Sequence, residues 1–285
     1  MDIFNILFIM CLFYFSLTAD IDWRDYPACK IGRLQSPIKL NEYESIYANN
    51  FSFVYQSYKG CECDNIEKKY AYIADFSKGG GGYINFERGG VIKQYEFIRA
   101  EVYNKSLHEI DGEKGDYELH LIHKKNLDFV TNKNQYRSIQ DPNIYLVIVL
   151  RYSKCPNNEK KACISDNGLL AKLTNKESDS NKFKIDLGAF NVFQDKRAYF
   201  YEGSFVHIPC DENVNYYVVK DLFYFDENKI DNTNFKDIDA TKIEEANRFG
   251  RPVYKNFMNY REVLKNDYFS FKKLIISFLF IIILL

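Results

Sequence analysis

Runs of β-branched and aromatic residues, separated by clusters of Gly, Asn or Asp, recur through the middle of the chain. They are YINF at 83–86, YEFIRAEVY at 95–103, YELHLIH at 117–123, YLVIVLRY at 145–152 and NYYVVKDLFYF at 215–225. Runs of this composition, bounded by turn formers, predict strands. A helical pattern is confined to stretches such as 239–248, DATKIEEANR. The glycine run 79–82 reads as a turn or strained loop, because four glycines forfeit backbone entropy without packing a side chain. The polar stretch 174–181, TNKESDSN, reads as a surface loop. No repeat period and no Pro- or Ser-rich linker divides the stretch between 20 and 260, so it reads as one domain. The expected class is mainly β (α+β), with a large central twisted, mostly antiparallel sheet and short peripheral helices.

The apolar pattern changes at both ends. Residues 3–17 form an apolar block in which Asn5 and Ser16 are the polar positions, with small residues at Thr18 and Ala19, which predicts a secretory signal over 1–19. At the other end 274–285, LIISFLFIIILL, is apolar apart from Ser277 and is preceded by Lys272 and Lys273. That is short of the roughly 20 residues a spanning helix needs. An apolar tail behind a polar spacer at 263–273 matches a lipid (GPI) attachment signal, with Asn266, Asp267 or Ser270 as anchor sites. A tail-anchoring helix that recruits residues 268–273 is the alternative. Either way the expected route is the secretory pathway to the cell surface, with residues 20–262 on the extracellular face and held to the membrane through the carboxyl-terminal anchor.

Composition narrows the class further. Apolar residues make up 46% of the 285 and charged residues 27%, which excludes a disordered or polytopic membrane chain. Lys plus Arg number 38 against 39 Asp plus Glu, so no global field draws the chain toward nucleic acid, and none is expected as a partner. Leaving out Cys11 in the signal, Cys29, Cys61, Cys63, Cys155, Cys163 and Cys210 form an even set suited to an oxidising compartment. Cys61 and Cys63, and Cys155 and Cys163, are expected to pin two long loops. Bridges between those loops and a local 155–163 bridge both remain open, while a bridge within the CxC pair is geometrically poor. Asn50 and Asn104 head glycosylation sequons.

Four segments in order carry a resemblance. They are Trp23 with GRLQSPI at 32–38; SLHEIDG at 106–112 with YELHLIH at 117–123; YFYEGSFVHIPC at 199–210; and RPV at 251–253 with NYR at 259–261. Together they resemble the signature stretches of the α-carbonic anhydrase family, and the resemblance implies that fold. It also implies that Cys29 and Cys210 are disulfide-bonded, a bridge worth about 4 to 5 kcal/mol on the chain-entropy model.

Carbon dioxide hydration in that family uses zinc, which lowers the pKa of bound water to about 7 when three neutral imidazoles hold it with one position open. By gapless spacing the resemblance puts the three ligand positions at Glu101, Tyr103 and His120, so one imidazole remains. Glu118, two residues before His120 and on the same strand face, falls where the family keeps a carboxylate behind the ligands. The threonine that orients the zinc-bound hydroxide falls on Val206, its glutamate partner on Leu107 and the second threonine on His207. The proton-shuttle histidine falls on Tyr83, a phenol that does not titrate near neutrality. His108 and His123 fall on structural positions, where core imidazoles bonded to backbone are expected. A rearranged zinc site of His120, His207 and Glu101 is chemically conceivable, but nothing in the spacing selects for ligand distances good to about 0.2 Å.

The expectation is therefore a vestigial centre with no intact catalytic residue, no zinc and no other cofactor. The chain reads as a catalytically inactive, carbonic-anhydrase-related ectodomain with a binding or structural role. The alternative is an active zinc lyase with an altered ligand set. An extracellular protein or an acidic glycan is the expected partner, the latter from the lysine pairs at 68–69, 124–125 and 160–161.

Overall fold

The structure, a computed structural model, describes Cys29, residues 32–58, 60–78, 81–129, 143–155, 169–174, 183–190, 196–225, Ile230 and residues 251–258. The expected signal, Trp23, Cys163, the 239–248 helix, the NYR segment, the lysine pair at 160–161, and the carboxyl-terminal spacer and tail lie outside these residues.

The strands begin with β1 (Lys39–Leu40), β2 (Ile46–Tyr47), β3 (Phe51–Ser57), β4 (Cys61–Glu62), β5 (Asn65–Lys68) and β6 (Tyr72–Asp75). The central ones are β7 (Tyr83–Arg88), β8 (Val91–Asn104), β9 (Glu109–Ile110), β10 (Tyr117–Lys125) and β11 (Tyr145–Lys154). After a short helix α1 (Leu169–Thr174) come β12 (Lys184–Ile185), β13 (Ala198–Gly203), β14 (Val214–Phe225) and β15 (Tyr254–Lys255). All five strands predicted from the hydrophobic runs are present. The main sheet runs β2-β15-β13-β14-β11-β10-β8-β6-β5, with β7 pairing the first half of β8 and β3 pairing β7. Most neighbours are antiparallel, but β11–β14 and β15–β2 are parallel, which makes the sheet mixed.

Both faces of this sheet are buried. Leu119, Leu121, Leu146, Ile148, Leu150 and Phe200 point into one apolar cluster. Ile122, Val147, Val149, Tyr201, Tyr216 and Val218, their neighbours in alternation, point into the other. The second cluster carries the polar residues of interest. Its framework is tied by the motif segments themselves: Ser36 N donates to Ser204 Oγ at 3.0 Å, and Ser204 N to Ser36 Oγ at 3.2 Å. Arg251 closes the set, donating to the Glu202 carbonyl at 3.0 Å and to that of Gln35. Three of the recognised stretches are thus one structural clamp.

Two expectations are corrected. Cys61 and Cys63 are not bridged; both are free thiols buried in the first cluster, where their side chains serve as small apolar fillers. Cys29 and Cys210 do form a disulfide, and Cys155 is also disulfide-bonded. Gly81 and Gly82, the described half of the glycine run, form a loop leading into β7, in keeping with the expected turn or strained loop. A methyl at Gly82 would land on the Ser57 carbonyl oxygen, and Gly82 accepts a hydrogen bond from Phe97 N at 2.8 Å, so close backbone approach demands the missing side chain. The expected loop 174–181 begins inside structure, since Thr174 is the buried end of α1, its hydroxyl bonded to the Leu170 carbonyl at 2.9 Å.

Candidate functional site

The site stands on β8 and β10, which pair so that Glu101 faces His120 and Tyr103 faces Glu118. A bulge sets the parity. His123 pairs with Phe97 but Ile122 with Arg99, leaving Ile98 as the extra residue. Before the bulge Tyr95 and Phe97 enter the first cluster; after it Ala100 and Val102 do. Arg99, Glu101 and Tyr103 are thereby turned to the opposite face.

Glu118 is wholly buried and accepts four hydrogen bonds. Ser106 Oγ donates at 2.7 Å and His108 N at 2.8 Å to one oxygen, while His108 Nδ1 and His120 Nε2 each donate at 2.6 Å to the other. A carboxylate only accepts, so each imidazole presents its N–H to it. Burial opposes its charge, but the two histidines hold it well below the usual carboxylate range. His108 Nε2 lies 2.6 Å from the Tyr201 hydroxyl, so the ring is held by side chains rather than by backbone as expected. His123 does bond to backbone, through Nδ1 to the Leu121 and Leu146 carbonyls at 2.9 and 3.3 Å. Its Nε2 meets the Tyr58 hydroxyl at 2.7 Å. Burial lowers the His123 pKa to about 3, so it is neutral.

Glu101, also fully buried, is encircled by donors. The Tyr103 hydroxyl donates to Oε2 at 2.6 Å, and the Tyr70 hydroxyl to Oε1 at 3.2 Å. Arg99 Nε is 3.0 Å from Oε1 and His207 Nε2 is 3.5 Å from it. Burial pushes against ionisation, and His207, Arg99 and Tyr103 overcome it, holding the carboxyl at about 2. Tyr103 in turn packs on His120, ring centroids 4.9 Å apart. Its own phenol is pushed well up by burial and by Glu101.

In front of Glu101 lies a cavity of about 320 Å³ lined by Tyr70, Arg99, His207, Asn65, Glu67 and Asp75 among others. The His207 ring is sandwiched between Tyr70 at 4.5 Å and Phe205 at 5.1 Å, and its Nδ1 meets the Ile208 carbonyl at 3.0 Å. Leu107 and Val206 are buried in the same apolar cluster as Tyr103. Asn50 is exposed and Asn104 half-buried.

Among the described residues, one group brings three ligand-type atoms within 4.8 Å of one another, and it is His108, Glu118 and His120. The combination of His120, His207 and Glu101 considered from sequence does not form such a group among the described residues; His207 and Glu101 meet, and His120 turns to Glu118. Tyr83 begins β7, paired with Ser57 and Glu96, and is not among the residues that line this cavity. The residues that do line it from that side belong to the β5–β6 hairpin. Sequence reasoning missed Arg99 and Tyr70. Arg99 was legible, since it lies two residues before Glu101 on one strand face. Tyr70 lies in the turn between β5 and β6, and no spacing rule reaches it.

A family model for eukaryotic-type carbonic anhydrase matches residues 19–267, and the chain belongs to that family. Dioscorin dioA3 of Dioscorea japonica is 25% identical over 200 residues, 69% of this chain and 64% of its own length. Alpha carbonic anhydrase 8 of Arabidopsis thaliana is 24% identical over 205 residues, 72% of this chain and 47% of its own. The chain therefore spans less than two thirds of the length of these relatives. Among solved structures, a dioscorin complexed with ascorbate matches with a TM-score of 0.59 at 18% identity, over 83% of this chain and 91% of that one. The α-carbonic anhydrase of Thermovibrio ammonificans, complexed with the inhibitor sulfanilamide, matches at 0.56 and 20%, over 81% and 91%. These likenesses establish the shared fold.

Proposed function

We propose that this chain is a carbonic-anhydrase-fold ectodomain that does not hydrate carbon dioxide and acts instead by binding, displayed at the cell surface. The observation that carries the reading is the 2.6 Å hydrogen bond from the Tyr103 hydroxyl to Glu101. Two of the three positions that would hold zinc are thus satisfied by each other. The donor set does not fit the ion. Zinc needs lone pairs converging on one point, whereas Glu101 is ringed by donors and the His108, Glu118 and His120 atoms are bonded among themselves. With Val206 and Leu107 both apolar and buried, no hydroxyl is left at those positions to orient a nucleophilic water. A dioscorin that binds ascorbate on the same fold supports a binding role for the scaffold.

Elemental analysis of chain produced with zinc supplied is expected to give far less than one metal per chain. Stopped-flow hydration of carbon dioxide is expected to match buffer. A stoichiometric ion with sulfonamide-sensitive turnover overturns the reading. Restoring imidazoles and the hydroxide-orienting pair, as Glu101→His, Tyr103→His, Leu107→Glu and Val206→Thr together, is expected to raise zinc content toward one per chain, using His120 with its Glu118 support as the third ligand.

A further inference from the structure

The cavity in front of Glu101 offers hydrogen-bonding capacity of both signs. Arg99 makes its one ion pair through Nε, its Nη atoms have no hydrogen bond among the described residues, and its side chain is 28% exposed. His207 Nε2 is buried 3.5 Å from Glu101 Oε1 and has no hydrogen bond among the described residues. Asp75 uses one oxygen to accept from Ser77 N at 2.8 Å, leaving the other without a hydrogen bond among the described residues. The Asn65 side chain spends one N–H on Glu67 at 3.2 Å, and its amide oxygen has no hydrogen bond among the described residues.

Charge decides what such a lining prefers. The two cations are already matched, Lys69 with Glu67 at 2.7 Å and Arg99 with Glu101 at 3.0 Å. An incoming anion would face Asp75 with Glu101 behind it, and an incoming cation would face the Arg99 guanidinium. Hydroxyl groups each donate once and accept twice, so they satisfy carboxylate and guanidinium together without importing charge. Ile73 and Ile208, also in the lining, supply apolar surface for C–H faces. A volume of about 320 Å³ is at the small end of ligand sites, which run from roughly 300 to 1,000 Å³.

We propose that this cavity binds a neutral polyhydroxylated ring, a free hexose or the terminal sugar of a glycan, through Asp75, Arg99 and Asn65. The proposal deepens the reading of the cleft as a binding site and rests on it. For this cavity it replaces the acidic glycan expected from the lysine pairs with a neutral one.

The test is calorimetric titration of the purified full-length chain with glucose, mannose, galactose and N-acetylglucosamine, with their methyl glycosides, and with acetate and phosphate as anionic probes. At least one neutral sugar is expected to bind one to one in the millimolar range, with little change between low and high salt. Asp75→Asn and Arg99→Lys, which preserve shape and the charge beside Glu101 respectively, are expected to weaken it roughly tenfold or more, about 1.4 kcal/mol. Lys124→Ala, on an exposed strand end, is expected to change nothing. Equal binding of the methyl glycoside assigns the site to a glycan terminus; binding that requires a free anomeric hydroxyl assigns it to the free sugar. Absence of binding by every sugar, sugar binding unchanged in both variants, or salt-sensitive binding of acetate or phosphate alone overturns the proposal. Zinc measured on the same preparation separates the two failures: stoichiometric metal with intact sugar binding sinks only the non-catalytic reading.

Discussion

Two buried carboxylates, Glu101 and Glu118, are kept charged by different means. Glu118 has four hydrogen bonds from its immediate chain neighbourhood, whereas Glu101 depends on partners from β8, the β5–β6 turn and the loop after β13. Glu101 has a folded-state pKa of about 2 against an ordinary 4.5. A lowered pKa contributes stability that is present above the ordinary value and is lost as pH falls through the folded one. The window is therefore pH 4.5 down to about 2, and the contribution is on the order of 3 kcal/mol. Urea midpoints measured across that window are expected to fall less steeply for Glu101→Gln than for the parent, the two curves converging in acid. Parallel curves would show that the folded protein does not hold this proton off. The variant should also be the less stable at neutral pH, because Arg99 Nε loses its charged partner.

At the level of elements, the single inserted residue in β8 has the largest consequence. Without the bulge at Ile98, Tyr95, Phe97, Glu101 and Tyr103 would share a face by simple alternation, and Glu101 would be buried in the aromatic cluster, away from the face that carries Glu118. The bulge lets one strand serve both clusters. A second element-level constraint is the entry to β7, where Gly81 and Gly82 pass against the backbones of Phe97 and Ser57. Gly82→Ala forces those strands apart and is expected to cost about 1 to 3 kcal/mol, read as a lowered urea midpoint with unchanged slope. A neutral result would mean that the β3–β7 contact yields freely. The hairpin turn between β7 and β8 illustrates the other use of glycine: Gly89 and Gly90 both take positive φ, 58° and 79°, as a tight two-residue connection demands.

For the molecule as a whole, the disulfide from Cys29 to Cys210 and the Arg251 clamp tie the beginning and end of the described fold to β13 and to the loop after it, which carries His207. Surface display belongs to this scale and is a proposal from the chain ends: treatment of intact cells with a phosphatidylinositol-specific phospholipase is expected to release the protein. Retention after full digestion would favour a membrane helix. The five strand runs and the mainly β class were legible in the linear order, because alternation along a strand is a local property of a chain, whereas the Cys29–Cys210 pair and the choice of Glu101, Tyr103, His120 and Glu118 came from the family resemblance of the motif segments. The bonding among those residues was in neither. The parity break at Ile98, the arrival of Tyr70 and His207 beside Glu101, the cavity in front of them and the burial of Cys61 and Cys63 as unbridged thiols depend on which strands pair and in what register. Those are contacts between segments far apart in sequence, and only the packing of two clusters against one sheet selects them.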